Sequence, residues 1–213
     1  MPSHTCSGCR RELDAKSFGK MQLKKGPEVM KCAECVSRGS DVVLKEILDK
    51  AAAEEEKSRF EERVEESTHF LEENKGKQGV VTLPSGLQYK VLDPGNGKFH
   101  PTPSARVEVH YVGKLIDGTQ FDSSVKTATE GPRLIQPATF APEDVIPGWE
   151  EAMQLMVEGA RWELFVPSHL AYGNAGSLPK IPGGSALIFD LEISKIKGGK
   201  VPKQGVEGVL GPV

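Results

Sequence analysis

A stretch without glycine or proline, from Asp41 to Lys75, places the strongest constraint on how this chain can fold. It is rich in alanine, glutamate, lysine and leucine, which lose little side-chain freedom in a helix. Asp41, which follows Gly39 and Ser40, is the predicted N-cap, and Gly76 is the predicted stop. The sequence therefore predicts one helix of about 50 Å, at about 1.5 Å per residue, which is longer than a small domain needs.

Apolar side chains recur at spacings of three and four near both ends of this helix but not in its middle. They are Val43, Leu44, Ile47, Leu48 and Ala51, followed by Phe60, Val64 and Leu71. The segment 52–59 lacks large apolar residues, so the pattern does not favour a continuous coiled coil. We expect a connecting helix with an apolar contact at each end, which also offers a route to a homodimer.

All four cysteines precede the helix, in two pairs that each enclose two residues. Cys6 and Cys9 form the first pair, and Cys32 and Cys35 follow after 22 intervening residues. Two such pairs suit tetrahedral zinc, although this loop exceeds the usual ~15–20 residues. The sequence predicts a structural zinc module over residues 1–40, similar to small zinc-ribbon-like docking knuckles. The alternatives are two redox-active pairs, plain surface thiols, or His4 replacing one ligand.

Charge is segregated along the chain: the net charge is +4 over residues 1–40, −5 over 41–79 and −2 over 80–213. Because Phe18 is the only aromatic residue of the basic module, docking to a protein is favoured over binding to nucleic acid, for which stacking aromatics are typical. We expect docking through residues 1–79; solvated charge around a structural metal is the alternative. The basic residues are Arg10, Arg11, Lys16, Lys20, Lys24, Lys25, Lys31 and Arg38.

From Val80 onward the apolar pattern changes to the period of two that is typical of strands. Four segments alternate, a hairpin turn is predicted at Asp117 and Gly118, and a short helix begins at Pro147 and ends before Gly159. This predicts a compact antiparallel α+β domain over residues 80–198 and a flexible tail over 199–213. The alternating segments are 87–92, 107–111, 161–166 and 187–193.

The usual catalytic patterns are missing from this third segment of the sequence. It contains no cysteine, and its histidines have no serine or aspartate at a recognisable triad spacing. His110 lies in an alternating strand and is interpreted as a packed side chain. Gly173 and Gly176 lack the lysine and the strand–helix context of a phosphate-binding loop. The sequence therefore argues against hydrolysis, phosphoryl transfer and redox catalysis here.

A series of motifs in the third segment resembles the FKBP domain, the macrolide-binding family of peptidyl-prolyl isomerases. The match covers roughly 80–197, and the preceding FLEENK (70–75) with GVVTLPSGLQYK (79–90) resembles the macrophage-infectivity-potentiator branch. The resemblance implies an antiparallel sheet wrapped around a short helix, and, in that branch, a preceding helix that supports dimerisation. The cysteine module is not part of that branch's usual pattern. The motifs are VHYVGKLIDGTQFDSS (109–124), VIPGWE (145–150), AYG (171–173), Ile181-Pro and LIFD (187–190).

The resemblance also implies roles for individual residues around one apolar pocket. Tyr111, Asp122 and Tyr172 would be the catalytic residues, with Asp122 and Tyr172 at the rim. The Tyr172 hydroxyl and the Ile146 amide would hold substrate carbonyls, and Asp122 would address the carbonyl before the proline; structural hydrogen bonding is the alternative for the two rim residues. Trp149 would form the floor, and the substrate-binding walls would be Phe121, Val145, Ile146, Ile181 and Phe189, together with Tyr111.

The sequence departs from the family pattern around this pocket. The stretch Val125–Pro137 is longer than in compact members, and only Arg133 is available to match an arginine that is often paired near the aspartate. Phe140 either lines the pocket or packs beneath it. Ser177, Leu178 and Lys180 occupy the flap, where other members carry apolar or histidine side chains, so we expect altered substrate preference and macrolide affinity.

These patterns together predict an enzyme that accelerates rotation of X–Pro bonds in protein clients and assists their folding, without a cofactor for catalysis. The alternative is a catalytically weak proline-binding scaffold or chaperone that docks through the zinc module. Apolar runs stay well below the ~18 residues of a membrane span, and the N-terminus resembles no secretory signal. We therefore expect no membrane partner, and a cytoplasmic or nuclear location.

Overall fold

The computed structural model describes residues 3–19, 22–23, 30–124 and 137–202 of the 213-residue chain. The chain forms two compact units, Met1–Arg59 and Phe60–Val213, whose boundary falls inside the long helix. No helix among the described residues combines the length and the apolar character that crossing a membrane requires. The predicted boundaries at 40, 79 and 198 stay predictions.

The first unit is built around its cysteines. Strand β1 (Ser3–Thr5) pairs antiparallel with β2 (Glu12–Asp14), and a short helix α1 (Ala33–Arg38) precedes the long one. All four cysteines are buried, and they form one cluster with Phe18, Met30 and Val43. Because so few large apolar side chains contribute, sulfur atoms make up much of this core.

The long helix α2 spans Ser40–Lys75, 36 residues, which confirms the predicted helix and its end before Gly76. It begins one residue earlier than expected, so Asp41 lies in the first turn instead of forming the N-cap. An acidic side chain there is stabilised by the helix dipole. Gly39 adopts φ +88° and separates α2 from α1, a conformation that favours glycine. Among the apolar side chains near the start of the helix, Val43 is buried, whereas Leu48 is 59% exposed.

The second unit contains a seven-stranded antiparallel sheet in the order β3-β4-β9-β10-β6-β7, with β8 pairing to β6. Alternate residues of the central strands face one apolar core, as the period of two predicted. The strands are β3 (Val80–Thr82), β4 (Gln88–Pro94), β6 (Arg106–Leu115), β7 (Gln120–Ser123), β8 (Ala138–Phe140), β9 (Ala160–Val166) and β10 (Leu187–Lys197).

Helix α3 (Pro147–Leu155) packs into this core. Proline at its first position suits a helix start, because no N–H donor is lost from the hydrogen-bond ladder there. Trp149, Ala152, Met153 and the following Met156 are spaced by three and four residues and are all buried. The predicted fold class, an antiparallel sheet wrapped around a short helix and preceded by a long helix, is confirmed.

A small additional sheet corrects the prediction for the C-terminal segment. Strand β5 (Phe99–Pro101) pairs antiparallel with β11 (Lys200–Pro202). The prediction of a flexible tail from residue 199 was therefore wrong for 200–202, and residues 203–213 lie outside the described residues. Strand β11 is too short to show a hydrophobic alternation in the sequence. Its structure depends instead on pairing with a strand about 100 residues earlier in the chain.

Candidate active site

Aromatic rings gather around Trp149, which is 4% exposed. The ring centroids of Tyr111 and Phe189 lie 5.0 Å and 5.1 Å from it, both edge to face. Phe140 lies 6.0 Å from Trp149, and Phe121 lies 5.6 Å from Phe189, again in edge-to-face geometry. The structure thus brings Tyr111, Phe121, Trp149 and Phe189 together, and Phe140 joins them as a direct neighbour of Trp149.

Strand register explains how residues distant in sequence meet here. Gly113 in β6 lies opposite Asp122 of β7 on one side and Phe189 of β10 on the other. A Cβ atom on Gly113 would lie 2.7 Å from the Phe121 ring and 2.8 Å from the Phe189 ring. Only glycine leaves room for both rings, so Gly113 is a site residue that the sequence analysis missed; an isolated glycine within a strand pattern was the available signal.

Aliphatic side chains complete the pocket wall. Ile181 is buried, and Val145 and Ile146 are half-buried and pack on the same core. Ile146 directly precedes α3, and its carbonyl accepts the N–H groups of Trp149 and Glu150. Its own N–H finds no hydrogen-bond partner within the described part of the chain. This donor is therefore available to a ligand, as the predicted role requires.

A tyrosine–aspartate pair marks the polar edge of the pocket. The Tyr111 hydroxyl donates to Asp122 Oδ2 at 2.8 Å, and the Ser123 N–H donates to Asp122 Oδ1 at 2.8 Å. Burial, and then the hydrogen bond to Asp122, raise the pKa of Tyr111 well above its usual range. Tyr111 therefore stays protonated and donates to Asp122, which remains exposed at the rim.

Tyr172 stays at the exposed edge of the site. It is 40% exposed, follows a short 3₁₀ helix at Ser168–Leu170, and precedes Gly173, whose φ is +57°. Tyr172 is the smallest of the contributions that raise the pKa of Tyr111, after burial and Asp122. The structure thus brings Tyr111 and Asp122 into contact and leaves Tyr172 exposed.

The flap is held by backbone and side-chain hydrogen bonds. Ser177 and Ile181 bond to each other through both backbone N–H groups, at 2.7 Å and 3.0 Å. Lys180 Nζ donates to the Phe121 carbonyl at 3.0 Å, so this flap residue reaches across to β7. Leu178 is 75% exposed. Arg133 and most of the long stretch 125–137 lie outside the described residues.

Comparison with known proteins places this site in a family. The model described as FKBP-type peptidyl-prolyl cis-trans isomerase matches residues 97–194, and the model of the domain amino terminal to it matches 23–91. The 22 kDa FKBP-type peptidyl-prolyl cis-trans isomerase of Escherichia coli is 45% identical over 153 residues, which cover 72% of this chain and 70% of that protein. The chain belongs to the FKBP-type peptidyl-prolyl cis-trans isomerase family. The resemblance noted from the motifs is thereby confirmed.

Two further relatives of this FKBP chain are informative. A Legionella longbeachae protein named outer membrane protein MIP is 45% identical over 72% of this chain, which spans only 62% of that relative. The crystal structure of FkpA from E. coli has a TM-score of 0.66 at 31% identity, covering 84% of this chain and 83% of that one. The similarity to FkpA extends beyond the share of the chain that the isomerase family model matches.

The cysteine cluster is a candidate metal centre in the first unit of this FKBP chain. One Sγ atom from each of Cys6, Cys9, Cys32 and Cys35 lies within 4.8 Å of the other three, and Cys9 and Cys32 are 3.9 Å apart. A tetrahedron with Zn–S bonds of about 2.3 Å has S···S edges of about 3.8 Å. No disulfide links the four thiols. His4 packs against Phe18 and is not part of the cluster.

Hydrogen-bond donors surround the sulfur atoms as thiolates require. The Cys32 N–H donates to Cys6 Sγ at 3.2 Å, and Arg11 Nε donates to Cys9 Sγ at 3.4 Å. Burial opposes ionisation of Cys6, but backbone N–H groups led by that of Cys32 outweigh it and lower its pKa to about 6. Burial, with the neighbouring sulfurs, raises the pKa of Cys35. Four thiolates this close would repel one another, so a cation between them would favour their ionisation.

A separate cleft of about 450 Å³ lies along the second half of α2. The helix contributes Val64, Ser67 and Leu71, and the sheet domain contributes residues around Leu83 and His169. None of the predicted pocket residues lines it. The cleft is therefore distinct from the aromatic site.

Proposed function

We propose that this chain catalyses cis–trans isomerisation of X–Pro bonds in protein clients and so assists their folding. The observation that carries this function is the buried Trp149 floor, enclosed edge to face by Tyr111 and Phe189. A flat apolar floor of this kind accepts a proline ring. The isomerase activity itself follows from membership of the family; the roles of individual residues below are our proposal.

The apolar pocket supplies the main part of the mechanism. Rotation about an X–Pro bond disrupts amide resonance, against a barrier of about 18–20 kcal/mol, and takes about tens to hundreds of seconds unaided. The twisted amide has less charge separation than the planar one, so an environment without water favours it. Binding that is stronger for the twisted state than for the planar state lowers the barrier. No covalent or acid–base step is needed.

Polar groups at the rim orient the peptide. In the proposal, the Ile146 N–H, which has no partner among the described residues, and the Tyr172 hydroxyl donate to substrate carbonyls on either side of the proline. Asp122, held by Tyr111 and Ser123, faces the carbonyl carbon of the residue before the proline, and its charge favours rotation of that carbonyl out of the plane. Binding energy along the peptide thereby holds the bond near its twisted geometry.

An isomerisation assay tests this function directly. A protease-coupled or NMR exchange assay on a Leu-Pro peptide should show acceleration by the full chain and a clear loss with Phe189→Ala. The competing function is a proline-binding scaffold that folds normally but turns over little. Peptide binding by the wild type without any acceleration relative to Phe189→Ala would establish the scaffold and reject the enzyme.

We further propose that Cys6, Cys9, Cys32 and Cys35 bind one structural zinc ion. When bound, the metal would link both ends of the first unit and neutralise the thiolates; it takes no part in isomerisation. The gathering of all four sulfurs into one cluster supports zinc over two independent redox pairs. Arg11, which reaches both Cys9 Sγ and Glu34 Oε2, would offset the remaining negative charge.

Docking through residues 1–79 also stays a proposal. Arg11 and Arg38 form ion pairs with Glu34 within the first unit, so part of the positive charge is compensated internally. Exposed Val36, Val42 and Leu48 support contact with a protein over contact with nucleic acid. Three further expectations also stay predictions: homodimerisation through α2, binding of macrolide inhibitors, and a cytoplasmic or nuclear location.

A further inference from the structure

The second unit, Phe60–Val213, is called the isomerase unit from here on. Within it, the second half of α2 packs on the remaining structure through polar side chains. Ser67 is 5% exposed and Asn74 is fully buried, while Val64 on the apolar stripe is 37% exposed. Asn74 Nδ2 donates to Gln88 Oε1 at 2.9 Å, which ties the end of the helix to β4. Buried polar groups are costly unless they are hydrogen-bonded, and here Asn74 Nδ2 and Ser67 Oγ each have a partner across the contact.

Ser67 and, one turn earlier on the helix, Arg63 hold one loop of the isomerase unit, Gly183–Ala186. Ser67 Oγ accepts the Ala186 N–H at 2.9 Å, and Arg63 Nε donates to the Gly183 carbonyl at 3.2 Å. Between these bonds, a Cβ atom on Gly184 would lie 2.7 Å from Val64 Cγ2. The loop backbone therefore lies directly against the helix and is fixed there by both a donor and an acceptor.

The same loop contacts the segments that carry the rim and wall of the pocket. The Gly184 N–H donates to the Gly173 carbonyl at 3.0 Å, and Gly173 directly follows Tyr172. A Cβ atom on Gly183 would lie 1.9 Å from the Asn174 carbonyl oxygen, so these backbones are in tight contact. Ile181 lies just before the loop and closes the flap through its paired bonds with Ser177.

We propose that Ser67 and Arg63 are positioning residues of the isomerase site, acting through the loop Gly183–Ala186 on Tyr172 and Ile181. This inference rests on the proposed function. Neither side chain reaches the aromatic pocket, but each bonds to a backbone group for which the described residues offer no other partner. Small displacements of groups that orient a substrate lower rates strongly. The long helix is thus part of the isomerase unit's catalytic framework as well as a connection.

The test uses the full chain with Ser67→Ala and a matched control, Thr68→Ala. Thr68 is the next residue on the helix, but its hydroxyl donates only within the helix, to the Val64 carbonyl at 2.7 Å. We expect Ser67→Ala to lower kcat/KM by about 3- to 10-fold, the effect of losing one hydrogen bond, and Thr68→Ala to leave it unchanged. Arg63→Ala should lower kcat/KM similarly, and Arg63→Lys, which keeps a donor, should restore part of it.

Amide hydrogen exchange separates positioning from a general loss of stability. The N–H groups of Ile181 and Gly184 bond within the flap and loop, not to the helix. In Ser67→Ala they should exchange faster than in the wild type, while amides between β9 and β10 keep their protection. Faster exchange throughout the sheet would mean that Ser67 serves stability only and would overturn the inference.

The two proposals fail in distinguishable ways. Wild-type kcat/KM together with unchanged exchange at Ile181 and Gly184 in Ser67→Ala would reject the positioning role and leave the isomerase function intact. A wild-type chain without isomerase activity would reject the proposed function and with it a catalytic role for these residues. The exchange pattern would then still decide whether Ser67 fixes the loop.

Discussion

The Tyr111 hydroxyl and the Asp122 carboxylate are joined by a 2.8 Å hydrogen bond between neighbouring strands at the pocket edge. Together with the Ser123 N–H on the other carboxylate oxygen, this bond gives Asp122 a single orientation. Because Tyr111 also contacts the Trp149 ring edge to face, the same side chain connects the apolar floor with the charged rim.

Removing either member of this pair should lower the isomerase rate. We expect Tyr111→Phe to reduce kcat/KM about tenfold, equivalent to about 1.4 kcal/mol, because the carboxylate loses its fixed direction. Asp122→Asn should have at least as large an effect. The matched control is Asp93→Asn, since Asp93 also accepts a backbone N–H, from Gly95, on strand β4 away from the pocket. Equal rates for Asp122→Asn and Asp93→Asn would remove Asp122 from the mechanism.

Gly113→Ala should damage the pocket through steric conflict. The added methyl group would meet the rings of Phe121 and Phe189, both held in a packed core. We expect unfolding free energy to fall by about 1–3 kcal/mol, measured in urea, together with weaker peptide binding. Gly76→Ala is the control, because its Cβ would meet only Glu73 O at an ordinary 3.6 Å. A Gly113→Ala chain with wild-type stability and binding would contradict the geometry given for this site.

Metal analysis should find one zinc per chain in reducing buffer. Cys32→Ser should lose the metal, whereas Ser37→Ala on helix α1, which Cys32 directly precedes, should keep it. Isomerisation of a small peptide should survive chelation, because the core of the second unit contains none of the four cysteines. A zinc content well below one per chain in the wild type would refute the four-cysteine site.

Stability should fall in acid partly through Glu158. The Ile196 N–H donates to its Oε1 at 2.7 Å and Lys200 Nζ at 3.0 Å, and in that order these contacts lower the pKa of Glu158. A carboxyl whose pKa is lower in the folded state stabilises the fold above its unfolded pKa, about 4.3, and this contribution is lost as pH falls through the folded pKa.

Urea titrations at several pH values test this contribution. The wild type should exceed Glu158→Gln in stability at pH 7, by less than about 1 kcal/mol because the side chain is one-third exposed. The difference should shrink below about pH 4. Glu143→Gln, an exposed carboxylate of the same unit, is the control. A stability difference between the wild type and Glu158→Gln that grows as the pH falls would contradict the stabilising role given to the Glu158 carboxylate.

The sequence was sufficient for the helix α2, the sheet and the ring of pocket residues, because long periodic segments and contiguous motifs encode them locally. It did not reveal that Ser67 and Asn74 pack on the isomerase unit while Val64 stays partly exposed. An apolar stripe predicts burial, but a buried serine or asparagine depends on partners such as Ala186 and Gln88. Those partners become neighbours only after the sheet has formed, so no local sequence pattern predicts these contacts.

Under the zinc proposal, the sulfur-rich core makes the folding of the first unit depend on the metal. Cysteines supply four of the seven buried side chains in that cluster, so under the zinc proposal the metal ligands are also the core. Oxidation of one pair to a disulfide would remove two ligands and rearrange the packing in the same event. The first unit would then respond to zinc supply and thiol redox state, while the isomerase unit on the same chain would not.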